Sequence, residues 1–521
     1  MLTFYVIVPI LIAVFLYLFP FKKAARIVSI ITQIGLTVAT VFLFINSREN
    51  EIVTAIGNYG VLGITLRADA LAAAFILLTA FIFLAAAVYS FSSNTSSLFW
   101  FLLFIWEASI IGIFLSGDMF NIFVLMEVGT VAVSVLIMYN RKNRSMYDGM
   151  IYLMINVVVV QFYLFGLGYV YRTVGTFDIE AAGYAFATIE ATQQILPFAL
   201  IMTFVALKCA LVPVFSWLPK AHGTPGASAA VSAVLSGLYI KCGIYLFIRF
   251  QGVFAGVDAT NLFIFVGVLT AIVGVIMSLA QTDIKLILAY STVAQIGLIF
   301  IGLNIGNFFG SMYHVVAHAV FKVILFMGAG VIIHTYNTRD THEISGVWRR
   351  LPLVSIAMIL AILGMIGTPL FGGSVSKYFL AYNAGGVINA IMIAINLGTI
   401  MIFVKFAYMF FGKTQGEKVK ADWWQQVPLL ALGAACIALG ILSEVIVRFM
   451  FNEDITIDLV GYLQKTGIFA VSLVAGFAAL RYYVKDSALL ARIKTLEFGF
   501  RGMCAAIGVF FAAVVVYLRF L

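Results

Sequence analysis

The sequence predicts an all-α polytopic membrane protein with about sixteen transmembrane helices. Three observations carry that prediction. Of the 521 residues, 63% are hydrophobic and only 10% are charged. Apolar runs of about 20 residues, enough to span a bilayer's hydrocarbon core at 1.5 Å rise per residue, recur from end to end. Basic and acidic residues also alternate between successive connecting loops.

In chain order the runs fall near residues 2–20, 27–46, 68–91, 98–116, 119–139, 147–171, 196–218 and 226–250. They continue near 261–281, 284–303, 308–335, 352–382, 385–411, 428–451, 464–483 and 500–519. The first, Leu2 to Phe19, reads as a transmembrane helix and not as a signal peptide, because no basic stretch precedes it and no small-residue cleavage site follows.

With the N-terminus outside, the inside loops hold Lys22, Lys23 and Arg26; Arg141, Lys142 and Arg144; Arg339, Arg349 and Arg350; Lys413, Lys418 and Lys420; and Lys485, Arg492 and Lys494. The outside loops carry Asp178, Glu180 and Glu190, then Asp258, and later Glu453, Asp454 and Asp458. The positive-inside rule therefore places both termini outside, as an even number of helices requires. The net charge of +9 lies in these short loops and forms no basic face for nucleic acid. Cys209, Cys242, Cys436 and Cys504 are scattered through apolar stretches without metal-binding spacing, so neither a disulfide framework nor a metal site is expected.

Two spans are interrupted alike. LKCALVPVFSWLPKAHGTPGA, from Leu207, has Pro213 and Pro219 soon after Lys208; GMIGTPLFGGSVSK, from Gly364, has Pro369 and a glycine pair before Lys377. Proline removes a helix hydrogen bond and clashes with the preceding turn, so both are expected to be broken helices. Each precedes a span with an embedded lysine, Lys241 or Lys405. The lysines recur about 165 residues apart, which indicates two repeats of five helices. Paired broken helices at corresponding positions point to an ion pathway.

An ionisable group at the bilayer centre costs about 2.5–3.5 kcal/mol on insertion scales, so each calls for a reason. The candidates are Glu107, Glu127, Lys208, Lys241, His314, His318, Lys322, Lys377, Lys405 and Glu444. For any one of them, snorkelling to the interface or a structural ion pair is the plain alternative. A series through successive helices suits proton transfer. Moving a carboxylate such as Glu127 towards or away from a buried lysine such as Lys208 switches that lysine between holding and releasing its proton. Lys241 is the next acceptor, and histidine relays between lysines. His314, His318 and Lys322, at i, i+4 and i+8, share one helix face, where packing through polar contacts is the alternative reading.

SGDMFNIFVLMEV (Ser116–Val128), SWLPKAHGTPGASAAVSAVLSGLYIKCGIYLFIR (Ser216–Arg249), TDIKLILAYSTVAQIG (Thr282–Gly297), YHVVAHAVFKVILFMGAG (Tyr313–Gly330) and GTPLFGGSVSK (Gly367–Lys377) carry a family likeness. Residues 60–415 resemble the antiporter-like proton-translocating subunits shared by respiratory complex I, Mrp cation/proton antiporters (their D-type component) and membrane-bound hydrogenases. The resemblance implies a fourteen-helix core of two inverted five-helix repeats with helices 7 and 12 broken. It divides the chain into helices 1–3 (1–97), a first repeat (98–250), a second repeat (251–415) and C-terminal helices 14–16 (416–521).

By motif, Glu127 resembles the fifth-helix glutamate and Lys208 its partner on the broken seventh helix. Lys241 matches the eighth-helix lysine, His318 the central histidine and Lys377 the exit residue of the broken twelfth. His314, Lys322 and Lys405 complete the expected proton pathway. The loop AHGTPGASA departs from the family's proline-rich form, and two helices follow the core.

The resemblance also implies a multi-pass plasma-membrane subunit of a prokaryotic complex. Its partners would be other membrane subunits and, in some branches, a redox arm; H+ and in some branches Na+ would be the ions moved. No catalytic centre and no cofactor are expected in this chain, which carries no nucleotide loop or iron–sulfur cysteine set. A structural subunit that conducts nothing, and a stand-alone cation/proton transporter, are the competing readings.

Overall fold

The computed structural model describes all residues except 21, 58–62, 94, 383, 414–415, 420, 453–456, 485–486, 495 and 521, together with the side chain of Lys22. Lys420, Lys485, Glu453 and Asp454 of the loop reading thus lie outside the described residues. We label the spans α1 (Thr3–Leu18), α2 (Lys22–Ser47), α3 (Ala70–Ser90), α4 (Ser97–Leu115), α5 (Met119–Ile137), α6 (Asn143–Val174) and α7 (Ala191–Lys208, resuming at Trp217–Gly223). Then follow α8 (Ala229–Gln251), α9 (Thr260–Ala280), α10 (Ile284–Asn304) and α11 (Phe308–Tyr336). The last are α12 (Pro352–Ile366, resuming at Gly372–Leu380), α13 (Gly386–Ala407), α14 (Trp423–Ile441, bent into Ser443–Phe451), α15 (Leu459–Val484) and α16 (Phe500–Phe520).

Among the described residues, fourteen helices are long and apolar enough to cross a bilayer. The short α1 and the halved α12 bring the spans to the expected sixteen. Both breaks fall where the prolines placed them. The sequence reading did not anticipate an antiparallel hairpin, β1 (Ile52–Ile56) with β2 (Ile64–Ala68), in which Ile52 faces Ala68 and Ile56 faces Ile64. It lies against the α4–α5 corner, where the Gly117 N–H donates to the Thr65 carbonyl at 2.8 Å.

The inverted repeat is visible in its helix caps. Asp118 caps α5, accepting from the Asn121 N–H, and its backbone bridges to Asp178 beyond α6. Asp283 caps α10, accepting from Lys285 and Leu286, and bridges to Asp340 beyond α11. The two corners sit about 165 residues apart and, with five spans between them, at opposite ends of the bundle. The first end gathers Asp69, Asp118, Asp178 and Glu180 (the acidic end); the second gathers Arg144, Lys220, Arg339 and Lys494 (the basic end).

In a bilayer, apolar surface gives helices no preference for each other over lipid, so close packing through small residues decides which pairs meet. At the α9–α10 crossing a Cβ on Gly297 would lie 2.5 Å from the Ala271 amide, and one on Gly274 would collide with the Ala294 amide. Gly237 of α8 likewise faces Val323 and the Ala319 carbonyl of α11. These contacts bring the polar faces of α8, α10 and α11 together along the centre.

The last two helices clasp the core from different sides: α15 packs on α13, and α16 on α6 and α7. Between them a strap, with the short helix Ala488–Ile493, crosses the basic end. Lys494 Nζ donates to Thr282 Oγ1 at 2.9 Å, and Glu497 pairs with Lys220 at 3.2 Å and Arg144 at 3.5 Å.

Candidate functional site

The break in α7 builds the first station of a buried polar axis. The helix stops at Lys208, Ala210 turns to φ +52°, and the Val212–Pro213 peptide is cis. The Leu207 carbonyl, which accepts from the Ala210 N–H at 2.9 Å in the turn, also accepts from Trp217 Nε1 at 2.6 Å. Lys208 is 4% exposed; its ammonium donates to Asn156 Oδ1 at 2.7 Å and Thr130 Oγ1 at 3.0 Å. Glu127, one turn before Thr130, is half-buried with one carboxylate oxygen unpartnered. It lies within electrostatic reach of Lys208 but forms no ion pair with it.

Lys241 is held by a different device. Residues Leu235–Tyr239 form a π-helical turn inside α8, a wide turn common at functional sites. The fully buried Lys241 donates back to the Ser236 carbonyl of that turn. Ser236 Oγ in turn shares a 2.7 Å hydrogen bond with Thr292 Oγ1 of α10. Gly243 lets α8 approach the break, since a Cβ there would lie 2.6 Å from Cys209 Sγ.

The stripe on α11 is wholly buried, as its spacing predicts. Lys322 donates to the Leu288 carbonyl at 2.8 Å and to Ser291 Oγ. His314 bonds Ser376 Oγ at 2.9 Å through Nδ1 and Gln295 Oε1 at 3.0 Å through Nε2. Between them His318 has no hydrogen bond at either ring nitrogen to any of the described residues, although Lys241, Lys322, His314 and Lys377 all lie within electrostatic reach. A buried imidazole is suited to accept a proton at one ring nitrogen and give one up from the other.

The second break holds Lys377. Gly367 at φ +87° closes the first half of α12, and Leu370 also adopts a positive φ. A Cβ at Gly373 would fall onto the Gly364 carbonyl oxygen, so only glycine lets the two halves overlap this closely. Lys377 Nζ donates to the Met365 carbonyl and to Asn396 Oδ1, both at 2.6 Å.

Three candidates stand apart. Lys405 donates to the Leu279 and Gln281 carbonyls at the end of α9, a position where a cation complements the helix dipole, and touches none of the axis residues. Glu107 is buried and accepts from Gln33 Nε2. Glu444 is exposed and accepts from the Ile457 N–H.

The sequence reading missed the neutral partners Thr130, Asn156, Ser236, Thr292, Gln295, Ser376 and Asn396. It also missed a side branch. Lys285, 3% exposed, donates to the Ala227 carbonyl at 2.7 Å and to Ser232 Oγ at 3.2 Å. His222 is fully buried, stacked on Phe326 at 4.5 Å with neither ring nitrogen hydrogen-bonded to any of the described residues, within reach of Lys285, Lys322 and Lys241. The branch runs towards the basic end, where Arg339 donates to the Gly223 and Thr224 carbonyls. At the acidic end burial alone would raise the Asp69 carboxyl, but Arg249, 2.7 Å away, and the Ala72 N–H hold it below its ordinary range. Burial pushes Asp118 up against its backbone hydrogen bonds, with help from the Asp178 charge.

Inverted repeats, each with a broken helix at an embedded lysine, and a file of titratable groups joining them define a polytopic membrane protein of transporter architecture. The match is to a known family. Residues 116–403 match the model of the family described as "NADH:quinone oxidoreductase/Mrp antiporter, TM", and the chain belongs to that family. It is 28% identical to the D subunit of the Na(+)/H(+) antiporter of Alkalihalophilus pseudofirmus over 484 residues, 88% of this chain and 98% of that protein. It is 30% identical to the N subunit of the NADH-quinone oxidoreductase of Desulforudis audaxviator over 418 residues, 74% of this chain and 83% of that protein. A chain in the structure of the Mrp complex from Dietzia sp. DQ12-45-1b superposes with a TM-score of 0.80 at 22% identity, covering 91% of this chain and 99% of that one.

Proposed function

We propose that this chain is the proton-translocating subunit of a multi-subunit membrane assembly, of the Mrp Na+/H+ antiporter type or a related redox-driven complex. One observation carries the reading: the buried Lys208, Lys241, His318 and His314 and the half-buried Lys377 form a file between two helix breaks, with His318, which has no side-chain or backbone partner among the described residues, at its centre. Its nearest alternative, a structural polar core, would tie each buried titratable group to a fixed protein partner, whereas His318 has none among the described residues.

The basic end faces the cytoplasm by the positive-inside rule, which puts both termini outside. Protons enter from the basic end through Lys285 and His222 and join the axis near Lys241 and Lys322. Approach of the Glu127 carboxylate holds a proton on Lys208, and its withdrawal releases that proton along the axis towards Lys377. Lys322 supplies a positive charge beside His318, and Lys405 secures the end of α9. The four sequence divisions, 1–97, 98–250, 251–415 and 416–521, correspond to an N-terminal group, two pumping halves and a C-terminal clasp.

The test is coupled transport by the assembled complex in membrane vesicles, read as a sodium-driven or substrate-driven pH change. Lys208→Ala and Glu127→Ala, each with partner subunits still copurifying, are expected to abolish it. Unchanged proton movement in Lys208→Ala would sink the reading.

A further inference from the structure

The two helices beyond the core are not needed to close either repeat, yet α15 lies directly over the end of the axis. A cavity of about 80 Å³ is lined by Lys377 and Ser374 of α12, Asn396 of α13, and Lys465 and Ser472 of α15. That is room for several waters. Lys465 sits two turns in from Asp458, which caps α15. Its ammonium makes no hydrogen bond or ion pair with any described residue. By contrast the neighbouring contacts are fixed: Tyr462 Oη accepts from Ser374 Oγ at 3.0 Å and from the Leu370 N–H at 3.2 Å, pinning α15 to the break.

We infer that α15 extends the proton path beyond Lys377, with Lys465 as the terminal relay between the cavity and the aqueous face at Asp458. The inference rests on the proton-translocating reading above. In the step itself an N–H bond breaks at Lys377 Nζ, leaving a neutral amine, the proton crosses cavity water, and a new N–H bond forms at Lys465 Nζ. Lys465 then gives its proton to water beside Asp458. The titratable groups facing Lys465 are Lys377 and Tyr378 from α12, with Tyr462 and Asp458 at the start of its own helix. From α13 come only the amides Asn389 and Asn396. A cavity with two lysines and no carboxylate in its wall repels a metal cation, so this outlet serves protons and excludes sodium.

The chemistry of three side chains separates relay from anchor. Arginine keeps the positive charge and the length but does not release its proton, whereas histidine releases one readily near neutral pH. In the assembled complex, Lys465→Ala and Lys465→Arg are expected to slow proton translocation 5- to 10-fold. Lys465→His is expected to restore at least half the rate, with its optimum displaced to lower pH. Ser472→Phe, which fills the cavity while leaving the Lys465 residue itself unchanged, is expected to slow it comparably and serves if a lysine variant fails to assemble. Wild-type rates in Lys465→Arg, or in both Lys465→Ala and Ser472→Phe, would overturn the relay. Lys208→Ala run in parallel distinguishes the failures: if it abolishes transport while the Lys465 variants do not, only this inference falls; if it too is silent, the wider reading falls with it.

Discussion

The two repeats solve one problem, a lysine set beside a broken helix within the membrane, with different partners. In the first, Lys208 is held by a hydroxyl and an amide, Thr130 and Asn156, with a carboxylate, Glu127, in reach but detached. In the second, Lys377 is held by the Met365 carbonyl and Asn396, and among the described residues no carboxylate contacts it. Among the described residues, a carboxylate within reach of the break lysine belongs to the first half alone. The second half offers fixed dipoles, and its neighbour is another lysine. Under the proposed proton-translocating role, the difference makes the first repeat the place where an outside signal sets the charge state and the second the one that passes on what it receives.

Removing the charges should break this comparison most severely. Lys208→Ala and Lys377→Ala are each expected to cut coupled transport by more than tenfold. Glu127→Gln should be as damaging as either if the counter-charge is the switch. Equal rates in Glu127→Gln and wild type would make the halves equivalent.

Next come the neutral holders. Asn156→Leu and Asn396→Leu each remove a hydrogen bond to a charged group, worth about 1.5–3 kcal/mol. Both are expected to slow transport roughly tenfold with assembly intact, and a silent Asn396→Leu would show that Lys377 does not depend on its dipoles.

Packing differs between the halves too. Gly274 and Gly297 allow backbone contact between α9 and α10, whereas Gly112 at the α4–α5 crossing meets only the flexible side chain of Leu125. Gly297→Val should therefore lower the thermal midpoint of the detergent-solubilised complex by several degrees, and Gly112→Val by less.

The smallest effect is expected at Asp69, whose carboxyl is held below its ordinary range. Its contribution is complete above the unfolded value of about 4 and is lost as pH falls through the lowered folded value. Asp69→Asn should cost about 1 kcal/mol or less at pH 7, a figure kept low by partial exposure, and the deficit should shrink in thermal melts as the pH is lowered through the folded value.

The sequence made the helices legible because length and apolarity alone define a span, and the breaks legible because proline admits few readings. Embedded lysines and histidines stood out against an apolar background for the same reason. Thr130, Asn156, Ser236 and Asn396 did not, since Ser, Thr and Asn in apolar helices commonly bond their own backbone a turn back, as Thr130 also does to Met126. Their convergence on a lysine exists only in three dimensions. Lys405 shows the converse: its spacing from Lys241 matched the repeat, but α13 places it near the α9 terminus, where backbone carbonyls claim it. His222 was hidden in a loop motif that carried no helical periodicity, and β1–β2 in a stretch between spans.

The breaks also offer a handle for protein engineering. Ala210 and Leu370 are non-glycine residues in the left-handed region, at φ +52° and +70°. That conformation costs a side-chain-bearing residue about 1–2 kcal/mol. Ala210→Gly and Leu370→Gly would relieve that cost without altering any buried charge, giving a chain better able to survive purification with its wiring unchanged.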